Sequence, residues 1–225
     1  MTRPLRLAFD TSGAYVAAVL AEGDTPVARH ETAMRQGQAE ALMPALEALL
    51  AEGGRGWSDL QAIGVGIGPG NFTGTRIAVS AARGLALALG IPAAGLSAFA
   101  LSRDLDAPDA LERELVLLPA PRGQVYAQSF RYGAPTGVPQ LFAPDAPPAD
   151  LRGEGLTVTG EAASLVADRL GATAVAASLD DLPRRMARLT HWLLARDPAP
   201  ARPAPLYVRP ADAAPPADAP PVIVP

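Results

Sequence analysis

The chain has 225 residues, is 49% hydrophobic and 19% charged, carries a net charge of −4 and contains no cysteine. That apolar fraction is enough for a real core in one large domain or two small ones, while the negative balance supplies no basic field to gather nucleic acid, so an RNA role would run through a partner. Without cysteine, disulfides, thiolate zinc sites and a cysteine nucleophile are all excluded.

The first residues, MTRPLRLAFDTSG, lack the apolar core of a signal peptide, and no run of about 18 apolar residues occurs. A cytoplasmic location with no membrane contact is the expectation. Apolar stretches at 5–9 (LRLAF) and 14–20 (AYVAAVL), split by the turn-like DTSG, predict two strands, and 26–33 a third. A helix is predicted over 38–52, a buried strand over 62–67, a helix over 74–89 and a short strand over 92–97. After a charged connector at 102–114 a similar order begins again. It has strands at 115–120, 123–132, 138–143 and 156–160, a helix at 161–171, a strand at 172–177 and a helix at 182–196. From 197 onward Pro and Ala dominate, interrupted by PLYVR (205–209), and an extended, weakly ordered tail is expected at 210–225. The expected organisation is therefore a lobe at 1–101, a second lobe at 102–209 and the tail. Two tandem α/β units, each a mixed sheet flanked by helices, suggest the duplicated architecture of actin, Hsp70 and sugar kinases, in which the hairpin turn opening each lobe grips phosphate.

Those turns are where chemistry would lie. In the first, Asp10, Thr11 and Ser12 offer a carboxylate and hydroxyls suited to a Mg²⁺-phosphate group, or equally an Asx or ST turn joining two strands. In the second, Pro119, Pro121 and Arg122 occupy the corresponding stretch, and no Asp or Glu occurs from 115 to 144. Phosphoryl transfer needs metal ligands together with a base or water-positioning acid, so half of that constellation is missing. The segment GPGNFTGTR (68–76) fails the P-loop pattern, with no Lys after Gly74. It also fails the dinucleotide pattern, since Gly68 and Gly70 fit but Thr73 replaces the third glycine. Two readings stay open: an anion site made by turn amides and Arg76, or a sharp glycine turn with Asn71 or Thr73 capping the next helix. His30 and His191 are isolated, so neither a metal site nor a serine triad is expected. No catalytic residue and no cofactor are assigned.

The helices predict a partner. Leu42, Ala45, Leu46 and Leu49 form one stripe on 38–52 while Met43 and Leu50 point elsewhere; on 74–89 only Arg76, Ser80 and Arg83 interrupt an apolar surface. Either the two helices pack on each other or their second faces dock another chain, with the small Ala78, Ala81 and Ala82 allowing close approach.

LAFDTS, the block at 66–98 (GIGPGNFTGTRIAVSAARGLALALGIPAAGLSA), RGQVYAQSF (122–130) and PLYVR together resemble the TsaB (YeaZ) family, in order along the chain. The resemblance implies the actin/Hsp70-like (ASKHA) fold and a non-catalytic, cytoplasmic paralogue of TsaD. It would work with TsaD and the ATPase TsaE in placing threonylcarbamoyl on adenosine 37 of tRNA, meet tRNA only through the complex, and form a homodimer when alone. It implies a vestigial nucleotide or anion cleft at Asp10, Thr11, Ser12, Gly68, Gly70, Thr73, Gly74 and Arg76. It also implies a partner surface made by Glu40, Leu42, Met43, Leu46 and Leu50 of the first helix and Arg76, Ile77, Ala78, Ala81 and Arg83 of the second. Where TsaD carries a His-x-x-x-His metal site, Ala98 and Ser102 stand here; Gln38 replaces a histidine usual in TsaB, and Asn71 replaces the serine of GSFTG. An actin-fold ATPase or sugar kinase and a metallopeptidase are the rival classes.

Overall fold

A computed structural model describes residues 3–177 and 179–208; Arg209 and the tail at 210–225 lie outside the described residues. The order is β1 (Leu5–Asp10), β2 (Tyr15–Glu22), β3 (Thr25–Ala33), α1 (Gln38–Glu52), β4 (Ala62–Gly68), α2 (Phe72–Leu89), β5 (Ala93–Ser97) and the single turn α3 (Ala98–Leu101). Then follow β6 (Arg113–Pro119), β7 (Val125–Arg131), β8 (Ala134–Phe142), β9 (Leu156–Gly160), α4 (Ala163–Leu170), β10 (Thr173–Val175) and α5 (Leu182–Arg196).

The strands form two five-stranded sheets, β3-β2-β1-β4-β5 and β8-β7-β6-β9-β10. Each has the same connectivity: an antiparallel meander whose first strand then pairs in parallel with the fourth. The duplicated α/β architecture expected from the sequence is thus present, with one asymmetry. Between β8 and β9 a single 3₁₀ turn (Ala149–Leu151) stands where α1 stands in the first unit.

Alternation along the strands explains the layers. Leu5, Leu7 and Phe9 of β1 and Val16, Ala18 and Leu20 of β2 face a core shared with α1 and α2. Ala8, Ala17, Val19 and Ala21 face the other way, toward Leu182, Met186 and Leu189 of α5. β1 is buried along its whole length because both faces are covered. In the second sheet Leu115 and Leu117 pack under α4, and Val116 and Leu118 meet Phe99 and Leu206.

The helix that covers the second face of the first sheet therefore comes from the end of the chain. A side chain at Gly64 would overlap Thr190, whose hydroxyl is already committed to the Met186 carbonyl (2.7 Å). His191 Nδ1 lies 2.6 Å from Arg6 Nη1. A guanidinium only donates, so this nitrogen accepts and the ring proton sits on Nε2. Among the described residues no helix is long and apolar enough to cross a membrane.

The charged connector expected to run to 114 ends earlier, because β6 starts at Arg113 and buries Glu114. Arg103, just after α3, donates Nε–H to Glu114 Oε2 at 2.5 Å with both side chains 2% exposed, and Thr159 donates to Glu114 Oε1 at 2.8 Å. Arg103 also donates to the carbonyls of Pro108 and Gly133 and lies 4.5 Å from the Phe130 ring centroid. Removing one partner of such a pair leaves a buried uncompensated charge. Arg103→Met should lower unfolding free energy by about 3–5 kcal/mol, and Arg103→Met with Glu114→Leu should recover most of that loss, measured by urea denaturation.

Candidate functional site

The β1–β2 turn and the β6–β7 turn line a cleft of about 700 Å³. From the first sheet side come Ser12, Gly13, Tyr15, Gly70, Phe72 and Arg76; from the second, Leu118, Pro119, Pro121 and Tyr126. Leu206, Tyr207 and Val208 cross it. The wall contributed by the second unit is apolar, since proline stands where a metal-binding acid would be needed.

Asp10 is 2% exposed and turned into its own hairpin. It accepts from Ser12 N–H (2.6 Å), Ser12 O–H (3.1 Å) and Tyr15 O–H (3.1 Å). Burial pushes its pKa up, although these hydrogen bonds oppose the shift. Tyr15 is pushed up as well, by burial and by the neighbouring Asp10. The Thr11 hydroxyl donates to the Gly74 carbonyl (2.7 Å), and Ser12 O accepts from Asn71 N–H (2.6 Å). The carboxylate and the Ser12 hydroxyl thus brace the hairpin itself, while the Thr11 hydroxyl and the Ser12 carbonyl hold it to the glycine-rich segment.

The glycines of that segment have a steric purpose. A Cβ at Gly74 would overlap the Thr11 carbonyl, one at Gly70 the Ser12 carbonyl, and one at Gly66 the Asp10 carboxylate. Gly68, at φ +83°, makes the bend. Asn71 then caps α2, its side chain accepting from Gly74 N–H at 2.8 Å. α2 starts at Phe72, two residues before the predicted position, so Gly74 lies inside the first turn. Of the residues expected in the cleft, Asp10, Thr11, Ser12, Gly68, Gly70 and Gly74 come together as this packed junction, and Thr73 is exposed without capping.

Arg76 is engaged elsewhere. Its guanidinium lies 3.7 Å from the Phe72 ring centroid and its Nε–H donates to Tyr207 Oη at 2.8 Å. Phe72 and Tyr207 are 5.5 Å apart between centroids. Leu206 N–H donates to Ile67 O at 2.8 Å. Sequence reasoning missed Leu206 and Tyr207 because their contacts join segments remote in the chain, and it missed Tyr15 and Phe72 although each lies within five residues of its partner, Asp10 or Arg76. Among the described residues no three His, Asp or Glu side chains converge as a metal would require.

The expected partner surface divides. Leu42, Leu46, Leu50 and Ala78 belong to the first core, each at most 3% exposed, and are unavailable to another chain. This corrects their assignment: both helices lie flat on the sheet and their main apolar stripes face it. Glu40, Met43, Arg76 and Arg83 are exposed, Ile77 and Ala81 half-buried, and Leu87, not anticipated, is 80% exposed.

Because Asp10's folded pKa is raised above its unfolded value, its contribution to stability is full below the ordinary carboxylate range and is lost as pH rises through the raised value. Asp10→Asn keeps the acceptor for Ser12 N–H and removes that loss. Urea denaturation from about pH 4 to about pH 8 should show the stability difference moving steadily in the variant's favour.

Residues 31–140 match the family model described as TsaD, tRNA N6-adenosine threonylcarbamoyltransferase. The chain is 33% identical over 142 residues to the tRNA threonylcarbamoyladenosine biosynthesis protein TsaB of Bacillus subtilis, covering 62% of this chain and 59% of that one. It is 31% identical over 126 residues to TsaB of Escherichia coli, covering 56% and 54%. These matches span a little over half the length of each relative. The solved YeaZ of Pseudomonas aeruginosa superposes with a TM-score of 0.68 at 26% identity, covering 91% of this chain and 99% of that one. Sequence relatives and a near full-length structural match agree that the chain is similar to TsaB/YeaZ proteins.

Proposed function

We propose that this chain is a non-catalytic subunit in the biosynthesis of tRNA threonylcarbamoyladenosine, docking a TsaD-type catalytic chain through the outer faces of α1 and α2. The observation that carries it is the surface left on those helices. With Leu42, Leu46 and Leu50 already in the core, Met43 remains on the outside of α1, and Leu87 with the half-buried Ile77 and Ala81 on α2. Apolar side chains of this kind, ringed by Glu40, Arg76 and Arg83, have the make-up of a protein interface. The same faces would pair two copies when the catalytic chain is absent. TsaE and tRNA join through the assembly, in the cytoplasm.

The non-catalytic part of this reading rests on the cleft. Asp10 is spent on its own hairpin, Arg76 on Phe72 and Tyr207, and the opposite wall is Leu118, Pro119 and Pro121. Phosphoryl transfer depends on positioned charges, and the described cleft presents none that is uncommitted on its first-unit side.

Adjacent positions of α1 separate folding from docking. Leu42→Ala should cost about 2–5 kcal/mol of stability by leaving a core cavity. Met43→Glu should leave the thermal transition unchanged and weaken association with the cognate TsaD-type chain at least tenfold, read by co-elution and calorimetry. Failure of the native chain to associate, with the catalytic chain modifying tRNA unaided, would overturn the proposal.

A further inference from the structure

A second surface adjoins the outer face of α2. The C-terminal half of that helix, the connection to β5 and the segment after α5 enclose a groove of about 440 Å³, with Leu87, Ile91, Pro92 and Pro200 among its apolar lining. Arg83 lines it from the helix and Arg202 from the chain's last described stretch. Leu87 is 80% exposed, and beside Gly84 there is open space.

The charge of the groove is one-sided. Arg83 and Arg202 are its charged residues, and no carboxylate lines it. Several arginines elsewhere are matched: Arg29, Arg55, Arg131 and Arg196 each pair with an acid. Among the described residues neither Arg83 nor Arg202 has a hydrogen bond, ion pair or ring partner. In a chain of net charge −4, two uncompensated guanidiniums flanking an apolar floor are complementary to carboxylates carried beside apolar side chains. The groove is continuous with α2, through which the catalytic chain docks in the reading above.

We infer that this groove receives an acidic, apolar segment of the TsaD-type partner, with the partner's apolar side chains seated on Leu87 and Ile91 and its carboxylates paired with Arg83 and Arg202. The inference rests on the proposed docking through α1 and α2 and adds the segment after α5 to the binding surface. The segment is held in place for this: Pro203 is buried, and Leu206 and Tyr207 are bonded to Ile67 and Arg76. RNA phosphate could also meet two arginines, but the apolar floor offers it nothing to bind.

The test is calorimetric titration of the purified cognate TsaD-type chain into the full-length native protein and into Arg202→Glu, Leu87→Asp and, as a charge-matched control on α4, Arg169→Glu. Arg202→Glu and Leu87→Asp should each raise Kd at least tenfold with unchanged thermal unfolding, and Arg169→Glu should change it less than twofold. The native protein's affinity should fall with added salt, and that of Arg202→Glu should fall less. If the native chain binds and Arg202→Glu binds equally well, this inference fails while docking through α1 and α2 stands, since Leu87 is shared with that face and Arg202 is not; if the native chain does not bind, the earlier proposal fails as well. Equal weakening by Arg169→Glu, or loss of binding to tRNA alone rather than to the TsaD-type chain in Arg202→Glu, would also overturn it.

Discussion

The contact between the β1–β2 turn and the start of α2 organises the molecule. Main-chain atoms of Thr11 and Ser12 sit against Gly74 and Gly70 at a separation that admits no Cβ, and the Thr11 hydroxyl and Asn71 amide tie the two segments together. With the turn seated there, α2 leaves the β4 end at one angle, and its buried Ala78, Val79 and Ala82 fall onto β1 and β4. The other stripe of α2 is then turned outward. A junction that looks in sequence like a phosphate loop thus serves as the bearing on which α2 is mounted. Glycine is needed there for proximity, and for a left-handed backbone only at Gly68.

A second constraint comes from the order of the chain. The first sheet is completed by α5, after the whole second sheet has been laid down, and the Arg103–Glu114–Thr159 cluster sits where the chain passes from one sheet to the other. Arg185 of α5 donates to the carbonyls of Leu101 and Arg103, so the same junction also anchors that helix. The segment after α5 closes the circuit, since Leu206 bonds to Ile67 and packs with Val116 and Leu118 of the second sheet. Each unit is therefore incomplete without chain contributed from beyond its own sheet. This interdependence explains why the cleft is walled by side chains from both units and crossed by the chain's last described residues.

Within that frame the charged groups of the cleft are engaged by neighbours in the protein. The carboxylate of Asp10 holds Ser12 and Tyr15, the guanidinium of Arg76 lies on Phe72 and holds Tyr207, and the facing turn is built from prolines. In the groove at the far end of α2, by contrast, Arg83, Leu87 and Arg202 remain uncommitted. The division is physical: buried polar groups need partners within the protein, whereas exposed apolar and charged groups are free to meet another chain.

Much of this was legible before any coordinates. Alternation at 5–9 and 14–20 and the apolar surfaces of 38–52 and 74–89 are local periodicities, so the strands, the helices and the repeated order follow from neighbours in sequence. The isolated histidines and the prolines of the second turn likewise limit chemistry by residue type alone. Tertiary structure decided the rest. It showed which stripe of α1 is core and which is surface, separating Leu42 from Met43; that Glu114 is buried rather than part of a solvated connector; that α5 belongs over the first sheet; and that Arg76 meets Tyr207. Local sequence determines periodicity and chemical type. Burial and partnership depend on which remote segments share a surface, and no window of neighbouring residues contains that information.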